Sequence, residues 1–201
     1  PIPPMKVLVT GAAGFTGMQM IKFLAPRKGV KPVGLVHRQI PKNNLIPDSF
    51  VVADLLDRTK LHAEVAKISP DAIIHLGGLT HGTAEDLHTT NVTGTKNLLD
   101  ASLAANPDCR ILVISSSGVY GYAGDLPISE TAPLRPVSDY GRSKVAQEYL
   151  CLNYDEGDAA IAVARPFNLA GPHQSEAFVC GRIVSQIIEI EQEKRTAIEL
   201  R

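Results

Sequence analysis

Short apolar runs rich in Val and Ile recur along the chain: MKVLV (5–9), VKPVGLVH (30–37), SFVVAD (49–54), DAIIHL (71–76), RILVIS (110–115) and AIAVAR (160–165). They lack the strict apolar–polar alternation of a strand with one wet face. Near-continuous hydrophobicity predicts strands covered on both faces, as in a parallel sheet flanked by helices. Helical patterns fill the intervals over 14–25, 57–68, 83–105, 140–154 and 175–192. Repeated strand–helix–strand units imply right-handed crossovers, so the pattern predicts an α/β fold: a doubly wound parallel sheet with helices on both faces. Two connections rich in Gly, Pro and Ser, 116–139 and 165–174, follow strand C-terminal ends, where open α/β sheets bind ligands. The last helix carries an apolar face (Ile183, Ile187, Ile188, Ile190) for which the residues after it offer no evident partner.

Composition narrows the function more than the fold. With 201 residues and 44% hydrophobic side chains, the chain has material for one core. Twenty basic and 21 acidic residues, a net charge of -1, argue against nucleic acid or an anionic membrane as a partner. The opening residues, PIPPMKVLVTG, lack the charged-then-apolar order of a signal peptide, and no apolar run approaches membrane-span length. Cys109, Cys151 and Cys180 are odd in number and far apart, which fits a reducing compartment. A cytoplasmic protein is expected. Neither the cysteines nor the six histidines have metal-ligand spacing, so no metal is expected; His75, within a strand, reads as a packed core residue.

The first strand runs into TGAAGFTG, which places Gly11, Gly14 and Gly17 around Phe15 and Thr16. Glycines at this spacing allow a tight turn, close approach to a diphosphate and close helix packing, and the helix start presents N–H groups to the anion. A plain strand-to-helix turn also uses glycine; the position in the first β-unit favours a Rossmann-type dinucleotide site. The second strand ends in GLVHRQ, so His37 and Arg38 stand where a carboxylate would bind the ribose of NAD. Arg there suits the 2′-phosphate of NADP.

The stretch SDYGRSKVAQEYL (138–150) sets Tyr140 and Lys144 four residues apart on one helical face. Alone, this spacing fits either a solvated surface pair or an ammonium that lowers a phenol's pKa for proton exchange. The preceding strand ends in ISSSGVYG, with Ser115, Ser116 and Ser117 at its tip, where a hydroxyl can hydrogen-bond a carbonyl or alcohol. Beside a nicotinamide, the second reading gains.

Six features in order now carry a resemblance: TGAAGFTG at 10–17, VADLLD at 52–57, NVTGTKNLLDA at 91–101, the serine run, YxxxK, and RPFNLAGPHQ at 165–174. Together they resemble the extended short-chain dehydrogenase/reductases, within them the NAD(P)-dependent nucleotide-sugar epimerase/dehydratase family. The run from Ala164 looks most like GDP-4-keto-6-deoxy-mannose reductases. The resemblance covers Lys6 to about Glu193. It implies Ser116 as catalytic hydroxyl, Tyr140 as acid/base and Lys144 as its partner held by the ribose, both of the latter also contacting cofactor. It implies Asp54 and Leu55 beside the adenine, Asn91 shaping the site, and Pro166 and Phe167 near the nicotinamide. Leu76, Gly77 and Gly78 lie in HLGG, where HLAA is more usual, and still admit the cofactor closely. Ser117, Asn168 and His173 are the substrate-binding candidates, Asn168 at the family's diphosphate contact.

What the resemblance implies about function is an oxidoreductase that reduces a 4-keto-6-deoxy nucleotide sugar with NADP(H), NAD(H) being possible. A 4-epimerase is the alternative, and a non-catalytic NADP-binding regulatory module the second alternative. The 4,6-dehydratases carry a Glu two residues after the catalytic hydroxyl; here that position is Gly118, so dehydration is disfavoured. The implied organisation is an NAD(P)-binding domain over 5–174 and the start of a truncated substrate-binding region over 175–201, with most of the C-terminal substrate domain missing. A homodimer pairing the Tyr140 helix and the 83–105 helix is implied as well.

Overall fold

The structure, a computed structural model, describes residues 2–39, 49–122, 124, 126–155 and 159–199. Its strands are β1 (Met5–Thr10), β2 (Val30–Val36), β3 (Phe50–Val52), β4 (Ala72–His75), β5 (Arg110–Ile114) and β6 (Ile161–Ala164). All pair in parallel, in the order β3-β2-β1-β4-β5-β6. The chain winds outward from β1 to one edge, then returns to β4 on the other side of β1. Thr10 at the end of β1 lies opposite Leu35 of β2 and His75 of β4. Crossovers leave in opposite directions there, which opens a crevice at the strands' carboxyl ends.

Helices cover both faces, as the pattern predicts. On one face α2 (Arg58–Ile68), α4 (Gly94–Ala105) and α5 (Asp139–Asp155) bury Leu61, Val65, Leu98, Leu99 and Cys151 against Leu8, Ile73, Ile111 and Val113. Each of these large side chains contributes roughly 1.5–3 kcal/mol by leaving water. On the other face α1 (Phe15–Leu24) brings Ile21 and Leu24 onto Val7, Val9, Val36 and Phe50. This cover is less complete than uniform hydrophobicity implies. β1 and β2 are buried on both faces toward their C-terminal ends, but β4 and β5 alternate. Ile73, His75, Ile111 and Val113 are buried, whereas Ala72, Ile74 and Leu112 line a groove of about 550 Å³ on the α1 side. Apolar composition says that a face can be buried, and which helix reaches it is a matter of topology.

The helix expected over 83–105 is also interrupted. α3 (Ala84–His88) starts at a capping box in which Thr83 accepts from Asp86 N–H and Asp86 from Thr83 N–H; a π-turn, Thr89–Thr93, then joins it to α4. Ser138 Oγ accepts from Gly141 N–H at 3.0 Å and starts α5 where Tyr140 falls in its first turn. The chain divides into two compact units, Pro1–Phe167 and Asn168–Arg201. The second holds α6 (Val179–Glu191), which begins later than expected because Phe178 N–H bonds Ser175 O and a turn occupies the preceding residues. Within this unit the buried Gln186 amide exchanges two hydrogen bonds with the Glu199 backbone, at 3.0 and 2.7 Å.

Gly17, in the first turn of α1, sits directly on the β1–α1 turn. A Cβ there would lie 2.2 Å from Gly11 O and 2.7 Å from Ala12 Cα, both backbone. Gly17→Ala must lift α1 off the sheet, and the expected loss is about 2 kcal/mol in urea unfolding, from overpacking against atoms that cannot turn aside.

Candidate active site

The site is built from the segments just past the strand ends. After β1, Gly11 takes φ +62, a left-handed conformation that costs glycine little, and packs so that a Cβ would meet Leu76 and Gly77 backbone at 2.9 Å. Gly14 is the N-cap of α1 and no side chain caps it. The first-turn N–H groups of Phe15, Thr16 and Gly17 have no carbonyl partner within the helix, which suits a helix start to an anion. After β4, Gly77 N–H donates to Thr10 Oγ1 at 2.9 Å, and a Cβ at Gly77 would stand 3.3 Å from Leu55. A Cβ at Gly78 would meet Asn91 Oδ1 at 2.7 Å and Lys144 Nζ at 3.8 Å. The glycines thus let the β1–α1 turn, the loop after β4, Asn91 and Lys144 pack closely together at the crevice where a dinucleotide would form its cradle.

At the far edge, His37 and Arg38 are exposed just past β2. His37 Nε2 bonds Asp54 Oδ2 at 2.9 Å, while Asp54 Oδ1 accepts from Leu56 N–H. Asn91, fully buried in the π-turn, donates to Leu79 O and Ser143 Oγ, both at 2.9 Å, and accepts from Leu79 N–H at 2.8 Å. The wide turn aims its amide at the loop after β4 and at α5 together.

Ser116 and Ser117 come directly after β5, and Ser117 N–H donates to Pro166 O at 2.9 Å, tying this tip to the end of β6, where Phe167 is exposed. Ser116 Oγ accepts from Gly118 N–H at 3.1 Å, and its hydroxyl lies near enough to the Tyr140 phenol to favour the ionised form. The structure therefore gathers Ser116, Tyr140 and Lys144 beside the cradle. Asn168 and His173 belong to the second unit; there His173 has φ 67.

One expectation is reversed. The Tyr140 phenol is raised above its ordinary value, not lowered: burial penalises the phenolate, and the nearby Ser116 hydroxyl acts the other way. Lys144 does not reach the phenol oxygen. Its Nζ lies 5.9 Å from the ring centroid and donates to Ile114 O and Gln147 Oε1, both at 2.9 Å. Burial lowers Lys144 itself to about 8, against an opposing pull from Cys151 and Glu148.

A model of the NAD dependent epimerase/dehydratase family matches residues 7–200. The chain belongs to that family. GDP-6-deoxy-D-mannose reductase of Pseudomonas aeruginosa is 35% identical over 196 residues, 93% of this chain and 60% of that protein. The structure of RMD from Pseudomonas aeruginosa complexed with NADPH has a TM-score of 0.78 at 31% identity, covering 96% of this chain and 62% of that one. UDP-glucuronic acid 4-epimerase from Bacillus cereus, in complex with NAD, has a TM-score of 0.80 at 28% identity, with 92% and 64% covered. The chain thus spans about three fifths of the length of the relatives it matches.

Several side chains supporting this family member's site have no signature in the sequence. Glu148, 4% exposed, accepts from Ser115 Oγ and from Arg165 at 2.6 and 2.9 Å; Arg165 also donates to the Tyr120 hydroxyl and to Glu130 O. The pair fastens α5 to the ends of β5 and β6. Glu148 stands four residues after Lys144 on the same helical face, the one signal that could have flagged it. Burial also raises the thiols of Cys109 and Cys151 to about 11. Among the described residues no group of three His, Cys, Asp or Glu can hold a metal ion, and no helix is long and apolar enough to cross a membrane.

Lys144 gives a pH test. Its value falls from 10.5 unfolded to about 8 folded, so the unfolded chain binds the extra proton between those limits. The folded state gains stability from this group as pH rises from 8 to 10.5 and loses it as pH falls. Urea unfolding of Lys144→Met beside wild type should show the wild type gaining on the variant across that window, by on the order of 3 kcal/mol.

Proposed function

We propose that this protein is an NADPH-dependent oxidoreductase that reduces the 4-keto group of a 4-keto-6-deoxy nucleotide sugar. The observation that carries the reading is the gathering of Ser116 and the Tyr140 phenol at the tip of β5, with Lys144 Nζ beside Gly78 in the loop after β4. A dihydronicotinamide held there would supply the hydride for the carbonyl carbon. Tyr140 gives its proton to the carbonyl oxygen, which becomes the alcohol. The Ser116 hydroxyl donates to the same oxygen and stabilises the developing alkoxide. The raised phenol pKa keeps Tyr140 protonated before transfer, as a proton donor requires. Lys144 holds a positive charge against Ile114 O near the place where phenolate forms. Gly118, without a carboxylate two residues after Ser116, supports reduction over elimination of water.

Residues Gly11, Gly14, Phe15, Thr16, Gly17, Leu76, Gly77 and Gly78 would hold the diphosphate and ribose side. Asp54, Leu55, His37 and Arg38 would border the adenosine, and Asn91, Lys144, Pro166 and Phe167 the nicotinamide side. Arg38, just past β2 where the sequence carries no carboxylate, supports NADPH, as does the likeness to RMD. The reading takes 5–174 as the cofactor domain and 175–201 as the start of the substrate region, with Ser117, Asn168 and His173 toward the sugar nucleotide. It includes a cytoplasmic location and a homodimer, for which Tyr149 and Leu152, exposed on α5, offer a surface. The likeness to a 4-epimerase favours one other reading, in which the same groups oxidise and re-reduce C4 with no net use of cofactor.

NADPH absorbance should fall when the chain meets a GDP-4-keto-6-deoxy sugar. Tyr140→Phe should slow this by about 10²–10⁴-fold while leaving NADPH binding intact. Interconversion of two 4-hydroxy sugars without NADPH loss would establish the epimerase instead. Binding of NADPH with no turnover of either kind would leave a regulatory module.

Arg38→Asp should weaken NADPH at least tenfold and leave NADH unweakened, measured by cofactor fluorescence titration, since a charge-assisted hydrogen bond to phosphate contributes about 1.5–3 kcal/mol. Equal losses for both cofactors would remove Arg38 from the 2′-phosphate.

A further inference from the structure

Between the glycine turn and Lys144 runs an unbroken line of buried hydrogen bonds. Thr10, His75, Thr95 and Gln147 are each at most 1% exposed, and Lys144 is 6% exposed. Lys144 Nζ donates to Gln147 Oε1 at 2.9 Å, and Gln147 Nε2 donates to Thr95 Oγ1 at 2.7 Å. Thr95 Oγ1 contacts Asn91 O at 2.6 Å, an acceptor only, so its single proton goes there. It must therefore accept from His75 Nε2, at 2.9 Å, which fixes the proton on that nitrogen. Burial and the nearby Lys144 ammonium hold His75 down to about 3, so the ring is neutral and its Nδ1 is an acceptor. Thr10 Oγ1, 2.6 Å away, donates to Nδ1 and accepts from Gly77 N–H. Along the line no proton is shared between two acceptors.

We propose that Gln147 is a positioning residue for Lys144, its amide locking the ammonium to the buried Thr95–His75–Thr10 line and so to the cofactor turn. The amide has one orientation: turned over, it would set its NH₂ against the ammonium and its oxygen against a hydroxyl whose proton is already used. Lys144 is thereby held on Ile114 O with Nζ facing Gly78, and the long alkyl chain cannot swing away from the cradle. The other charged or titratable groups around Lys144 are Tyr140, Glu148 and Cys151 on α5 and His75 on β4; Glu148 is neutralised by Arg165 from beyond β6. Gln147 is thus the neutral acceptor that keeps a buried cation hydrogen-bonded. The inference rests on the reading that Lys144 serves Tyr140 and the cofactor, but its test does not depend on turnover.

The test is an NMR titration of Lys144 in the whole chain labelled with ¹³C at lysine Cε, in wild type, Gln147→Met and Gln147→Glu, with melting curves to confirm folding. Gln147→Met removes the acceptor and should lower the Lys144 midpoint by about one pH unit, because the charged form loses a hydrogen bond. Gln147→Glu keeps an acceptor and adds a charge, and should raise it by at least as much. Shifts in the same direction, or none in either, overturn the proposal, since a merely space-filling residue predicts no such opposition. Should both variants fail to fold, ¹⁵N-histidine spectra of wild type decide. His75 must stay neutral with its proton on Nε2 from about pH 5 to 9, as a midpoint far below that range requires; a titrating ring or an Nδ1–H tautomer overturns it. A wild type without oxidoreductase activity would sink the proposed function and leave these spectra unchanged, so the two failures are distinguishable.

Discussion

The ion pair between Glu148 and Arg165 is the fastening on which the site's geometry depends. One carboxylate, nearly out of water, receives a forked guanidinium from beyond β6 and the Ser115 hydroxyl from the end of β5. α5 is thereby held to two strand ends one turn beyond Lys144. Such a pair adds little net stability against an apolar alternative, but losing one partner costs about 3–5 kcal/mol, because a buried charge is left alone. That asymmetry makes it a positional device. The serine tip and the tyrosine come from different elements, and their relative placement is set where those elements are tied.

Around that fastening, polar groups are buried in quantity but seldom unpaired. Thr95, Gln147, Asn91, His75 and Ser115 all sit in the interior with hydrogen-bond partners. Low local polarity strengthens each such bond and raises the cost of leaving one unmade, so the arrangement is rigid in the part of the molecule where cofactor and reacting groups must meet. The apolar cores on either sheet face supply the stability, and the polar seam between β4, α4 and α5 supplies the geometry.

Much of the architecture was legible in the amino-acid sequence because it rests on local pattern. The strands fall where Val and Ile cluster, the helices where periodicity changes, and the glycine turn and Tyr140–Lys144 pair are short-range motifs. What escaped depends on contacts between distant residues. Gln147 and Arg165 look like ordinary polar residues until α5 meets β4 and β6. The direction of the Tyr140 shift is not in the spacing, which places a cation near a phenol without saying where its ammonium points; Ile114 O and Gln147 claim it. The partial exposure of Ile74 and Leu112 depends on which helices reach that face, which strand composition does not encode.

The π-turn at Thr89–Thr93 separates the requirements of folding from those of the site. It holds one more residue than a regular turn, and the surplus is what points Asn91 at two elements. Removing a single residue there would let α3 and α4 merge into one continuous helix, with the capping box and the Leu98–Leu99 contacts available as before. Asn91 would rotate by about 100°, the angle per residue of an α-helix. The loop after β4 and α5 would lose their shared anchor while the hydrophobic core remained. In this segment helical regularity and chemical competence are opposed, and the chain has kept the irregularity.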